Sequence, residues 1–222
     1  MLFDINTNVR GKEITVLVGP NGSGKSTLLK TVMGITQVYS GRINFDGSNI
    51  VGLPPHAVTK LGVAYLPQVN SVFANLNVRE NLLMAGYILS REEAQERARE
   101  MLEDFPVLKG YMDRRAGTLS GGERQMLAMA MAMMKRPKIM LFDEPTASLA
   151  PKIAFEVLEK ILALRDNYGV TVVLAEQNAR RALEHGDQAI LLVSGRVMYE
   201  GESKELLNHK ELGKVYLGIK TN

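Results

Sequence analysis

The stretch Gly19-Pro-Asn-Gly-Ser-Gly-Lys-Ser-Thr27 constrains this chain more than any other. It fills G-x-x-x-x-G-K-[ST] completely, with Lys25 and Ser26 in the two chemically committed positions. The apolar, β-branched run Ile14–Val18 leads into it, and Thr27-Leu-Leu-Lys-Thr-Val-Met33 follows with helical character. Strand, glycine-rich turn and helix in that order commit this part of the chain to an α/β unit. Glycines let successive backbone N–H groups face inward, and the helix start adds donors that have no partner inside the helix. Such a cradle suits phosphate oxygens; the Lys25 ammonium reaches the terminal phosphates and the Ser26 hydroxyl can ligate Mg²⁺. The motif implies a nucleoside triphosphate held by Gly19, Pro20, Asn21, Gly22, Ser23, Gly24, Lys25, Ser26 and Thr27.

A phosphate loop needs carboxylates, and the sequence offers a pair. Lys138-Ile-Met-Leu-Phe142 reads as a buried strand that ends at Asp143-Glu144. Adjacent carboxylates at a strand end are costly to desolvate unless they are used. Beside bound phosphate, Asp143 would complete the Mg²⁺ shell through water, and Glu144 would polarise the water that attacks the γ-phosphate. Leu119-Ser-Gly-Gly-Glu-Arg124 is a second glycine-rich turn before a helix, able to offer the Ser120 hydroxyl and backbone donors to an anion. One phosphate loop already satisfies one nucleotide. Two-fold assembly explains the second turn, which would meet the nucleotide held by a partner's Gly19–Thr27 loop.

Around these motifs the chain alternates strand and helix. Partial alternation in Leu2-Phe3-Asp4-Ile5-Asn6 suggests half a strand; Lys12–Val18, Ser40–Gly47 and Leu61–Leu66 read as strands, with a helix opening at the prolines before His56. Strand signals then vanish from about Val78 to Lys135. Leu82, Leu83 and Ala85 form an apolar stripe, Ser90-Arg-Glu-Glu93 is a capping box, and Met126, Met129, Ala130 and Met133 recur at core spacing as flexible filler. After Lys138 the alternation resumes: helix at Pro151–Arg165, strand at Gly169–Ala175, helix at Ala179–His185, strand at Gln188–Val193, a Ser194-Gly195 turn into Arg196–Tyr199, and two short helices from Ser203. The expected division is residues 1–71 and 136–222 as an α/β core around a mostly parallel sheet, with residues 72–135 as an inserted helical lobe.

Composition narrows the function classes. Apolar residues at 45% and charged residues at 23% describe a globular protein, and a net charge of +3 without a basic block gives no nucleic-acid footprint. The absence of cysteine excludes disulfides and thiolate metal sites. No leader is read at the N-terminus, and no apolar run approaches the roughly 18 residues of a membrane span. His56, His185 and His209 have no metal partner at ligand spacing.

Taken in order and near this spacing, the phosphate loop, Leu119–Arg124 and the Ile139–Glu144 strand end resemble the ATP-binding cassette ATPases. Gly52-Leu-Pro-Pro-His56, Leu61-Gly-Val-Ala-Tyr-Leu-Pro67 and Ala175-Glu-Gln-Asn-Ala-Arg180 are similar to the LivF-type subunit of branched-chain amino-acid importers, and the likeness runs from about Gly11 onward. The resemblance implies a RecA-like P-loop core with antiparallel β elements near the N-terminus and an inserted all-helical subdomain. It implies that Gln68 senses Mg²⁺ and γ-phosphate, and that Ser120, Gly121, Gly122 and Glu123 close on the opposite subunit's ATP. Ser148–Pro151 matches the loop crossing the dimer interface, and Gln177 falls where a switch histidine is usual. Glutamine can hydrogen-bond the γ-phosphate or its water but cannot carry a proton as imidazole does. Ala150 replaces a common aspartate, and Glu123 a common glutamine.

Relatives in the family carry about twenty residues before the equivalent of Met1, including a first strand and an adenine-stacking aromatic. The base would then lose a platform worth roughly 1–3 kcal/mol, and a sheet edge would be exposed. Phe3, taken as a strand residue, is expected to pack in the core instead. The implied partners are a second ATPase subunit, identical or related, permease subunits and, indirectly, a periplasmic or extracellular binding protein; nucleic acid is not expected. The implied place is the cytoplasmic face of the membrane. Two other classes remain open: a soluble cassette ATPase working on nucleic acid or ribosomes, and a nucleotide-dependent interaction subunit without turnover.

Overall fold

The computed structural model describes residues 1–209, 211 and 212. Its strands are β1 (Ile14–Val18), β2 (Asn44–Phe45), β3 (Ser48–Asn49), β4 (Val63–Leu66), β5 (Ile139–Asp143), β6 (Thr171–Ala175), β7 (Gln188–Val193) and β8 (Arg196–Glu202). Its α-helices are α1 (Lys25–Val32), α2 (Pro55–Lys60), α3 (Val78–Ala85), α4 (Arg91–Asp104), α5 (Gly121–Met133), α6 (Pro151–Tyr168), α7 (Ala179–His185) and α8 (Ser203–Asn208). They sort into two compact units: Met1–Tyr65 with Lys138–Glu144 and the chain from Ile161, and Leu66–Pro137 with Pro145–Lys160.

The first unit is built on a six-stranded sheet in the order β4-β5-β6-β1-β7-β8. β1 runs parallel to both β6 and β7, β5 runs parallel to β6, and β8 closes the edge antiparallel to β7. Every residue of β1 and β5 is buried, as parallel strands covered on both faces require. β8 alternates exposed and half-buried residues, the pattern of an edge strand. Leu17, Leu29, Met33, Val63, Leu141 and Leu192 form one core cluster; each such side chain fully buried is worth about 1.5–3 kcal/mol of transfer. Pro55 opens α2 at a first-turn position, where its missing N–H leaves no helix bond unmade.

Three expectations in this unit need correction. Leu2–Asn6 forms no strand: Asp4 sits at φ 50°, a left-handed conformation that breaks an extended run. Phe3 is consequently not a core residue but 42% exposed, with the Arg196 guanidinium 5.4 Å above its ring. The stretch Ser40–Gly47 contributes only Asn44–Phe45, because Asp46 and Gly47 both take positive φ and fold the chain back onto Ser48–Asn49 as a tight antiparallel hairpin. Of the two C-terminal helices expected from Ser203, α8 is present, and the second lies outside the described residues.

The second unit is helical, with two 3₁₀ segments at Pro106–Tyr111 and Ala116–Thr118. Asn77, Ser90 and Ser120 close the starts of α3, α4 and α5 with reciprocal capping boxes to Glu80, Glu93 and Glu123. Leu82, Met101, Phe105, Leu108, Leu127 and Met133 are buried, and Met129 and Ala130 with them; Met126 is half-exposed. The stripe expected on α3 is narrower than its sequence suggests. Leu82 is fully buried, but Leu83 is 37% exposed and Ala85 only half-buried. Asn81 does the remaining anchoring: its buried side chain donates to the carbonyls of Phe73, Leu76 and Asn77 and accepts the Phe73 N–H, tying the preceding loop to α3.

Candidate functional site

β1 delivers the chain from a fully buried strand into Gly19, and only glycine fits there. Its φ is 150°, and a Cβ would stand 2.0 Å from the Leu192 carbonyl oxygen of β7. Ser23 N–H donates to the Pro20 carbonyl at 3.1 Å, closing the turn, while Pro20, Asn21 and Gly22 remain around its rim. The buried Ser23 hydroxyl has no hydrogen-bond partner among the described residues, and the Gly195 N–H braces the Ser23 carbonyl from below at 2.9 Å. Gly24 precedes α1 at φ 111°, and no side chain caps the helix. The N–H groups of its first turn are therefore left for an external acceptor.

Lys25, only 5% exposed, donates to the carbonyls of Gly19 at 3.0 Å and Pro20 at 3.4 Å. Its ammonium also lies 3.8 Å from the Glu144 carboxylate. Ser26 Oγ donates to Asp143 Oδ1 at 2.7 Å, and Thr27 follows in the same helical turn. The motif residues Lys25 and Ser26 thus meet the carboxylate pair more than a hundred positions along the chain.

The pair is held by the sheet. Asp143 ends β5 in register with Ala175 of β6, and Glu144 N–H continues the ladder by donating to the Ala175 carbonyl at 2.9 Å. Glu144 has φ 52°, a left-handed conformation in which a non-glycine residue is strained by about 1–3 kcal/mol. Two positions beyond Ala175 comes Gln177, exposed, whose N–H donates to the Glu176 carboxylate at 3.2 Å. Asp143 thus ends β5, and Glu144 and Gln177 lie just past the carboxyl ends of the neighbouring strands β5 and β6.

Tyr65 of β4 was not among the residues singled out by motif. Its hydroxyl donates to Asp143 Oδ2 at 2.9 Å. Burial, and then the Asp143 charge and hydrogen bond, push the phenol well above its ordinary value, so it remains a donor. The only sequence signal is a hydroxylated aromatic on a buried strand, which names no partner.

In the second unit, Gln68 is exposed in the loop after β4. Ser120 Oγ accepts the Glu123 N–H at 3.3 Å and the Glu123 carboxylate accepts the Ser120 N–H at 2.7 Å. Burial disfavours ionised Glu123, but the Ser120 groups, the Tyr111 hydroxyl and the Arg114 charge outweigh it and hold the carboxyl below its ordinary value. Gly121 is half-buried, and Gly122 is bare for a packing reason: a Cβ there would stand 2.3 Å from Ile153 Cγ2 on α6.

Comparison with known proteins agrees with this geometry. The family model described as ABC transporter matches residues 2–147. The chain is 52% identical over 219 residues to the probable branched-chain amino acid transport ATP-binding protein LivF of Archaeoglobus fulgidus, covering 99% of this chain and 93% of that one. It is 43% identical over 217 residues to the high-affinity branched-chain amino acid transport ATP-binding protein BraG of Pseudomonas aeruginosa, covering 98% and 93%. The lipopolysaccharide export system ATP-binding protein LptB of Escherichia coli K12 is 36% identical over 218 residues, covering 97% and 90%. Among solved structures, the dimeric post-hydrolysis cassette MJ0796 bound to ADP and Pi aligns with a TM-score of 0.80 at 27% identity, over 91% of this chain and 90% of that one. With a RecA-like P-loop core, a mixed and mostly parallel sheet, and this likeness over nearly its whole length, the chain belongs to the ABC transporter family as an ATP-binding and ATP-hydrolysing subunit.

Proposed function

We propose that this subunit energises an importer for branched-chain or related amino acids. The observation that carries its chemistry is the convergence of Lys25, Ser26, Asp143 and Glu144 within one unit. The substrate class is supported by the two relatives of highest identity above, both described as branched-chain amino acid transport proteins, at 52% and 43% against 36% for the lipopolysaccharide exporter.

The triphosphate would lie across the first turn of α1, accepting its uncapped N–H groups. Lys25 would exchange its loop carbonyls for β- and γ-phosphate oxygens, a trade that keeps its ammonium hydrogen-bonded throughout. Ser26 and Asp143 offer hydroxyl and carboxylate oxygens 2.7 Å apart, the hard donor set that would suit Mg²⁺, with Asp143 acting through water. When bound, that ion would neutralise charge gathering on the β- and γ-oxygens. Glu144 would polarise the attacking water for in-line displacement, and Gln177 would hydrogen-bond the γ-phosphate or that water.

Turnover would belong to a pair of subunits. Ser120, Gly121 and Gly122 of one copy would close on the nucleotide of the other, Glu123 would set the charge of that turn, and hydrolysis would reopen them. The helical unit would receive the permease. Of the apolar residues at the start of this unit, Val72, Phe73, Leu76 and Leu82, Leu82 is wholly buried and offers no surface. The apolar surface available runs instead over Phe73, Leu83, Met84, Tyr87 and Ile88, each 37–67% exposed. No helix among the described residues is long and apolar enough to cross a membrane, so the passage would lie in other subunits at whose cytoplasmic face this one docks.

The test has two arms. Phosphate release by the native chain should fall at least a hundredfold in Glu144→Gln while ATP binding persists. Vesicles holding the native subunit with its permease should accumulate labelled leucine only with ATP. Turnover undiminished in the variant refutes the role of Glu144; ATP-dependent uptake of another solute but not of amino acids refutes the substrate class.

A further inference from the structure

Two hydroxyls from different elements reach Asp143. Ser26 on α1 donates to Oδ1 at 2.7 Å, and Tyr65 on β4 donates to Oδ2 at 2.9 Å. Only Ser26 belongs to a motif. The terminal torsion of an aspartate is soft and roughly two-fold, so a single donor leaves the carboxylate free to swing about that contact. A second donor on the other oxygen fixes its plane. Ser26 can keep its proton on Oδ1 while its lone pairs face a cation, but only if Oδ1 stays where it is. We infer that Tyr65 is a positioning residue for divalent-cation binding: it pins the far oxygen of Asp143 so that Ser26 and Asp143 present a preset pair of oxygens to Mg²⁺–nucleotide. It acts through Asp143, in the way outer partners orient first ligands at metal sites.

The packing separates this role from a structural one. The Tyr65 ring is half-buried against the core cluster that includes Val63 and Leu141, and Phe would keep that contact while deleting only the hydroxyl. The inference rests on Ser26 and Asp143 forming the cation shell.

The experiment uses the full chain and a fluorescent ATP analogue, titrated with Mg²⁺ and also measured in EDTA. In Tyr65→Phe the Mg²⁺ concentration giving half of the affinity gain should rise about tenfold, with EDTA affinity and melting temperature unchanged. Tyr65→Leu, which lacks the hydroxyl and also loses ring packing, should show the same Mg²⁺ shift despite a lower melting temperature. An unchanged Mg²⁺ response in Tyr65→Phe overturns the inference. So does equal loss with and without Mg²⁺, or a shift that follows the loss of packing. If the native chain itself ignores Mg²⁺, the cation-shell reading fails and takes this one with it; a native response matched by Tyr65→Phe retires Tyr65 alone.

Discussion

α1 begins at Gly24 with no side chain over its first turn, whereas α5 begins at Ser120 with its first turn closed by the chain's own groups. α1 follows its glycine-rich turn while α5 carries Gly121 and Gly122 as its own first residues, and both are read as anion sites, but they start from opposite states. At α1 the donors wait for a ligand, and a positively charged side chain stands by, tethered to Gly19 and Pro20. At α5 the Ser120 oxygen already accepts the Glu123 N–H and the Glu123 carboxylate the Ser120 N–H, and a negative charge sits on the positive end of the helix dipole. An open end is completed by what it binds. A capped end folds unaided, which suits a surface that must stand alone between encounters.

The comparison breaks most sharply at Gly24. Gly24→Ser would set a hydroxyl beside the first turn of α1, at a φ of 111° that a side chain adopts at a cost of about 1–3 kcal/mol. Its Cβ would also stand 2.7 Å from Leu2 Cδ2. Titration with ATP should show affinity lower by at least about tenfold, since a seryl oxygen would compete for the N–H groups that phosphate needs. Undiminished affinity would mean that the openness of α1 is incidental. At α5 the reverse holds. Ser120→Ala should cost about 1 kcal/mol of stability by thermal melt, the usual value of a lost cap, while ATP binding to the single subunit is unchanged. Sedimentation with ATP in the Glu144→Gln background should then show the pair of subunits weakened. The smallest effect is expected from Glu123→Gln, which keeps both capping hydrogen bonds and deletes the charge. Its melting temperature should lie slightly below the native one near neutral pH and meet it in acid. Because folding holds the Glu123 carboxyl below its ordinary value, its ionised form contributes stability above that ordinary value, and the contribution is lost as pH falls through the lowered one. The native chain should therefore lose stability relative to the variant only in that acid window.

How much of this is legible in sequence depends on the distance over which an interaction acts. The phosphate loop is readable because strand, glycines, lysine and helix are contiguous, and the Ser90–Glu93 box because its two halves lie three residues apart. The same local signal exists at Asn77-Val-Arg-Glu80 and at Asp46-Gly47, and a stricter reading of caps and turns would find both. Tyr65 is different in kind. Its partner is 78 positions away and becomes adjacent only when β4 and β5 enter the sheet as neighbours. Leu83 fails for another reason: helical spacing marks which residues share a face, but Leu82 and Asn81 already fill the space over α3 and leave Leu83 outside. The left-handed backbone at Glu144, which also bonds to Ala175 of the neighbouring strand, is not announced by a glycine or asparagine in the sequence.

The turn between β7 and β8 ties two distant pieces of chain together. The Gly195 N–H is spent on the Ser23 carbonyl inside the phosphate loop, its carbonyl accepts the Phe3 N–H, and the Leu192 carbonyl fills the space beneath Gly19. Opening either piece locally would break these contacts, so the two are expected to open together. Deuterium from solvent would reach the Gly195 amide only at the pace of the loop's own breathing. A residue outside the phosphate-loop motif would thereby set the pace for the segment proposed to hold phosphate.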